Sequence, residues 1–120
     1  MKLTKKKIGN KGEDIAVEFL KKHGYRIIER NFRSSEGEID IIALDKGTLC
    51  FIEVKTRRSV NFGLPLDGVD FFKQQQIIRV AQSYLIKKRI TEVQSRFDVV
   101  SIFITSSNID INLIKNAFEA

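Results

Sequence analysis

The sequence predicts an α/β fold, a mixed central β-sheet flanked by helices in the order α-β-β-β-α-β-β. Three observations predict it. Apolar residues recur at helical spacing in two segments, 11–23 and 70–88. Between them lie three shorter stretches with the alternation of half-buried strands. After the second helical segment, Val99-Val100-Ser101-Ile102-Phe103-Ile104 is a nearly continuous apolar run, as a centrally buried strand requires.

Each element follows in order. Lys2 to Lys7 reads as a basic arm, within a flexible stretch taken as residues 1–8. Asn10 followed by Glu13 resembles a helix cap, so the first helix is expected from Lys11 to about His23. Its apolar stripe is Ile15, Ala16, Phe19 and Leu20, and Gly24 stops it. His23 sits where a helix-end contact is favourable. Tyr25 to Asn31 reads as the first strand, and Arg33 to Gly37 as a mobile loop. Gly37–Leu44 and Thr48–Thr56 are the next two strands, joined by a turn around Lys46-Gly47. Arg57 to Gly68 is a loop holding the sole proline, Pro65. The second helix buries Ile77, Ile78, Ala81, Tyr84 and Leu85. Strands Arg96–Ile104 and Ile109–Ile114 close the chain around the turn Ser106-Ser107-Asn108. The 120 residues, 1–120, suit one domain with a real core.

The chemistry gathers on the second and third strands. Side chains alternate faces, so Glu53 and Lys55 share one face with Leu49 and Phe51, and Asp40 shares one with Glu38, Ile42 and Leu44. A two-residue loop sets Leu44 against Leu49, Ile42 against Phe51, Asp40 against Glu53 and Glu38 against Lys55. That register matches apolar with apolar and charge with charge. Two carboxylates about 5 Å apart repel unless a proton or a cation lies between them. Hard oxygen ligands suit Mg²⁺ or Mn²⁺, and a neighbouring lysine can hold a phosphate oxygen. Asp40, Glu53 and Lys55 therefore read as a small metal site aimed at a phosphodiester.

The chain resembles the PD-(D/E)XK nuclease superfamily, and within it the small bacterial YraN-like branch related to Holliday-junction resolvases. The resembling stretches run through nearly the whole chain. They are Gly12-Glu13, His23-Gly24-Tyr25 through Arg33, Gly37-Glu38-Ile39-Asp40, Phe51 to Arg57, Phe62-Gly63-Leu64-Pro65, Lys73, Arg96-Phe97-Asp98-Val99-Val100 and Asn116-Ala117-Phe118. The resemblance implies a restriction-endonuclease-like fold. It implies Asp40, Glu53 and the Val54 carbonyl as Mg²⁺ ligands, Lys55 as the residue steadying water or phosphate, and Glu13 as an outer ligand or base. Glu13 also reads as a helix N-terminal acid, and Glu38 as a structural partner of Lys55. The implied activity is hydrolysis of DNA phosphodiesters, with branched DNA in repair or recombination as substrate. The alternative is a non-catalytic nucleic-acid-binding module of the same fold.

The rim supplies candidate DNA contacts: Arg57 and Arg58 directly after the site, and Lys73, Gln76 and Arg79 on the second helix. Gln74-Gln75-Gln76 stands where relatives carry more basic residues. Phe71 and Phe72 read as core or subunit contacts, with base stacking the alternative. Lys and Arg total 21 against 15 acids, a net charge of +6, which suits a polyanionic partner. A nuclease acting on symmetric junctions needs two sites, so a homodimer is expected. Without a long apolar run or a signal-like start, the chain reads as cytoplasmic with no membrane partner. The single Cys50 cannot form an internal disulfide and reads as a buried strand residue. There is no Gly-rich phosphate loop, no zinc-ligand spacing and no Ser/His/Asp set.

Overall fold

The first helix, α1, begins earlier than its sequence cap suggests. It runs over Lys5–Lys22, so Asn10 lies inside it. The computed structural model describes the backbone of residues 5–58 and 69–120, with side chains from Lys11 onward. The tip of the expected arm, the Pro65 loop and the Phe62–Pro65 motif lie outside the described residues. Glycines at 9 and 12 lower helix propensity, yet the helix carries through both. Packing against the sheet outweighs that cost. The remaining elements are β1 (Arg26–Ser34), β2 (Gly37–Asp45), β3 (Thr48–Arg57), α2 (Phe71–Lys87), β4 (Ser95–Ile104) and β5 (Ile109–Phe118). β1 and β5 each run a few residues past the expected strands.

The five strands lie in chain order, β1-β2-β3-β4-β5. Only β3 and β4 pair in parallel, because α2 carries the chain back across the sheet between them. The other pairs are antiparallel. The β2–β3 turn is the two-residue loop expected. Lys46 and Gly47 both adopt positive φ, 51° and 87°, as a type I′ hairpin demands. Leu44 accordingly faces Leu49, and Ile42 faces Phe51.

Each face of the sheet is covered by one helix. On one face α2 contributes Ile77, Ile78, Val80, Ala81 and Tyr84 to a core with Phe32, Ile42, Phe51 and Phe97. Asp70 caps α2 by accepting from the Lys73 amide at 2.8 Å. On the other face α1 contributes Ala16, Val17 and Leu20 to a core with Ile41, Ile52, Val100 and Ile102. Cys50 is fully buried there, and burial pushes its thiol up to about 12, so it is inert at neutral pH. At the end of α1, Gly24 takes φ 89°, and His23 donates Nδ1–H to the Phe19 carbonyl at 2.8 Å.

Gly12 marks the closest approach of α1 to the sheet. A methyl group there would collide with the Thr56 hydroxyl on β3. Gly12→Ala is expected to cost about 1–3 kcal/mol in a urea melt. Adding Thr56→Ala should recover much of the loss. A double variant no better than the single one would mean that the contact does not set the spacing of α1.

A buried ionic cluster lies at the opposite end of β3 from Lys55. Asp98 is 0% exposed and accepts four hydrogen bonds. They come from the Tyr25 hydroxyl (2.9 Å), Arg96 Nε (2.8 Å), an Arg96 terminal nitrogen (3.0 Å) and the Asn116 amide (2.9 Å). Arg96 also donates to Asp45 at 2.8 Å, and Lys115 reaches the same Asp45 oxygen at 3.2 Å. These hydrogen bonds hold the Asp45 carboxyl below its usual range. Burial and the Asp98 charge push the Tyr25 phenol up. The cluster joins the segment before β1 to β2, β4 and β5. It assigns a structural role to the Arg96-Phe97-Asp98 motif.

Candidate metal centre

The second acidic group forms where β2 and β3 separate. Their ladder ends at Ile41 opposite Ile52, one step short of the expected Asp40–Glu53 pair. Side-chain alternation also fails at this point of β2. Ile39 and Ile42 pack on the α2 side, whereas Ile41 packs on the α1 side. Beside it on β1, Asn31 sits at φ 54°. The twist turns the Asp40 carboxylate toward β3, where it accepts the Val54 amide at 2.8 Å in place of a ladder bond. The carboxyl end of a parallel strand, here β3, is the usual location of ligand sites in open α/β sheets.

Asp40 is the hub. On one side it hydrogen-bonds the Glu53 carboxyl. On the other, carboxylate oxygens of Glu13, Glu38 and Asp40 lie within 4.8 Å of one another. Burial pushes the Glu53 carboxyl up to about 8, and the Asp40 charge adds to the rise. Glu53 therefore keeps its proton near neutrality and donates it to Asp40. Burial also raises Asp40, although the Val54 amide and Glu53 pull it back. Glu13 is raised by burial and then by Asp40. Asp40, with Glu53 on one side and Glu13 on the other, all three raised in proton affinity, makes an environment that wants positive charge.

Among the described residues, two buried polar atoms at this end lack a hydrogen-bond partner. Glu13 Oε1 has no hydrogen-bond donor, and its ion-pair partner Arg30 stands off at 3.7 Å. Ser101, beside Lys55 in the parallel register, is buried with an unpaired hydroxyl. A buried carboxylate oxygen without a donor is costly. An all-oxygen donor set with such an atom fits a hard divalent cation.

The remaining candidates divide. Lys55 lies near enough to Glu53 to favour its charged form, and so does Lys73, whose Nζ is 3.9 Å from Glu53 Oε2. Lys73 thus belongs to the site and not only to a distant rim. Glu38 pairs with Arg33 at 2.8 Å, which replaces the expected partnership with Lys55. The reason is that the ladder ends before Glu38 could face Lys55. Gln76 donates to the Glu36 carbonyl at 3.0 Å, and Arg79 to the Glu36 carboxylate at 2.9 Å. Both side chains pin the β1–β2 turn, which is a tight two-residue hairpin at Ser35-Glu36 and not the expected loop. Arg57 lies over the Phe103 ring at 5.8 Å, and Arg58 is exposed. Glu38 was the ligand candidate missed in the sequence. Its two-residue spacing from Asp40 was the available signal.

The fold and site define a class: a small α/β protein with an open mixed sheet and an acidic centre at the carboxyl end of β3. The profile of the uncharacterised protein family UPF0102 matches residues 12–102, and the chain belongs to this family. It is 47% identical over 120 residues to a UPF0102 protein of Caldanaerobacter subterraneus subsp. tengcongensis, covering 98% of each chain. It is 48% identical over 118 residues to one of Caldicellulosiruptor saccharolyticus, covering 97% of this chain and all of the relative. It is 50% identical over 111 residues to one of Persephonella marina, covering 92% of each. Among the described residues, no helix is long and apolar enough to cross a membrane.

Proposed function

We propose that this protein is a divalent-metal-dependent deoxyribonuclease of the PD-(D/E)XK type, hydrolysing phosphodiester bonds of DNA. The observation that carries the reading is the group Glu13, Glu38 and Asp40, whose carboxylate oxygens lie within 4.8 Å of one another, with Glu53 against Asp40 and Lys73 beside Glu53. Asp40 and Glu53 would hold Mg²⁺ or Mn²⁺ with the Val54 carbonyl. Glu13 and Glu38 are placed to bind the ion or its waters. A bound ion of this kind makes an attacking hydroxide available near neutrality and neutralises charge developing on the phosphate.

The chain's own groups do the rest. Glu53 would give up its proton to solvent when the ion binds, so that the Asp40 and Glu53 carboxylates both face it. Asp40 is held in place by the Val54 amide and cannot swing away. Lys55, a compact cation on the same strand, is placed to hold a phosphate oxygen and orient the water that attacks it. Arg57 and Arg58, directly after the site, would position the strand through its backbone without reading sequence. With Gln76 and Arg79 engaged by the β1–β2 turn, duplex grip on α2 is weak and the strand is held mainly at the site.

The test is a nicking assay on junction, flap, duplex and single-stranded DNA with Mg²⁺ and Mn²⁺. Asp40→Ala and Glu53→Ala should each lower the rate by about a thousandfold or more. Equal rates for wild type and both variants would discard the assignment. Metal binding without cleavage of any substrate would favour the non-catalytic binding module.

A further inference from the structure

We infer that Phe71 and Phe72 form a stacking platform for unpaired nucleobases of the DNA strand presented to the acidic centre. The inference rests on the nuclease reading and narrows its substrate to DNA with single-stranded nucleotides beside the scissile phosphate.

Both rings open α2, and neither belongs to the core. Phe71 is 73% exposed and Phe72 75%. The other described aromatic rings of the α2 face, Phe32, Phe51, Tyr84, Phe97 and Phe118, are all buried in mutual edge, tilted or stacked contacts. Two adjacent exposed phenylalanines make a small apolar patch of a size that is often functional on a single chain. Two considerations identify the occupant. The pair offers only about 300 Å² of apolar surface, judged from the usual area of such side chains. A stable contact between copies needs about 800 Å² from each. The next exposed apolar residue of α2, Ile86, lies about 21 Å further along the helix at 1.5 Å per residue. The patch therefore stays small.

Charge and position supply the second consideration. The next residue after Phe72 is Lys73, whose ammonium lies 3.9 Å from Glu53 in the acidic centre. A strand with its phosphate at Lys55 and Lys73 would carry its neighbouring bases over the rings. Such a pairing of cation and aromatic face is how single strands are held irrespective of sequence. Bases inside a duplex have no free face to offer. The helix N-terminus itself is not the attractor, since Asp70 already occupies the Lys73 amide.

The test is equilibrium binding by fluorescence anisotropy of the full chain with EDTA present, so that no cutting occurs. Wild type should bind an oligothymidylate about tenfold or more tightly than an abasic strand of equal length and charge. Phe71→Ala/Phe72→Ala should bind both strands alike, at the wild-type abasic level, with an unchanged thermal melt. The chain has no tryptophan, so Phe72→Trp provides a single reporter. It should keep the preference, and its emission should be quenched by the intact strand only. Equal wild-type affinity for the two strands, or an undiminished preference in the double alanine variant, would overturn the inference. So would a double variant that only changes self-association in sedimentation. Cleavage of the same oligonucleotide by wild type with Mg²⁺ is read separately. Base-dependent binding without cleavage defeats the nuclease reading alone, and cleavage without base dependence defeats the stacking inference alone.

Discussion

Glu53→Gln should make the metal-free protein more stable at about pH 9, by on the order of 1–2 kcal/mol, while abolishing its response to Mg²⁺. Burial pushes the folded Glu53 carboxyl up to about 8 from an ordinary value of 4.5. Between those values the folded chain binds a proton that the unfolded chain has released. Stability is therefore highest below the lower value and falls as pH rises through the upper one. The amide of glutamine can donate to Asp40 as the protonated acid does, but it has no charge to lose. Urea melts in EDTA at about pH 6 and about pH 9 should show wild type declining with pH and the variant nearly flat. Mg²⁺ should stabilise wild type more at the higher pH, where no proton must be displaced. It should leave the variant unmoved. A wild-type curve that rises between those pH values would refute the assignment of the shared proton.

Asp98→Ala should be the most destabilising single change at a polar position, costing about 3–5 kcal/mol. The aspartate is wholly buried and takes donors from Tyr25, Arg96 and Asn116. Its removal leaves Arg96 half-paired, with only Asp45 to neutralise it. It also frees the Asn116 amide, which closes the bulge between β4 and β5. A domain of this size has about 5–15 kcal/mol in total, so the variant should be partly unfolded at body temperature. Tyr25→Phe removes one neutral donor and should cost only about 1 kcal/mol. An Asp98→Ala loss no larger than that of Tyr25→Phe would mean that the cluster does not tie the strands together. Because the cluster lies away from the acidic centre, any folded fraction of either variant should bind metal like wild type.

Much of the architecture was legible because local signals and global packing agree. The Lys46-Gly47 turn demands positive φ, and the alternation of Leu44, Ile42, Leu49 and Phe51 allows only one register. The apolar spacing of α2 and its Asp70 cap lie together in the chain, so one short window contains the whole argument. The start of α1 was not legible. A capping pattern at Asn10 competes with continued helix, and one short window cannot decide between them. The turn at Ser35-Glu36 reads as a mobile loop until Gln76 and Arg79 pin it from α2, forty and more positions away.

The acidic centre divides along the same line. Sequence alone brings Asp40 close to Glu53 and Lys55, because the two-residue hairpin fixes the register of the strands that carry them. It also settles that Asp40 and Glu53 fall at the ends of apolar strands. Tertiary structure decides which acids share one point. The twist at Asp40 breaks the alternation, brings Glu13 from α1 and Glu38 from the same strand to its carboxylate, and hands Glu38 to Arg33. It likewise assembles Tyr25, Asp45 and the Arg96–Asp98 pair from three distant segments. Pairings over such separations follow from how strands twist and helices seat on them, and a linear pattern carries no record of either.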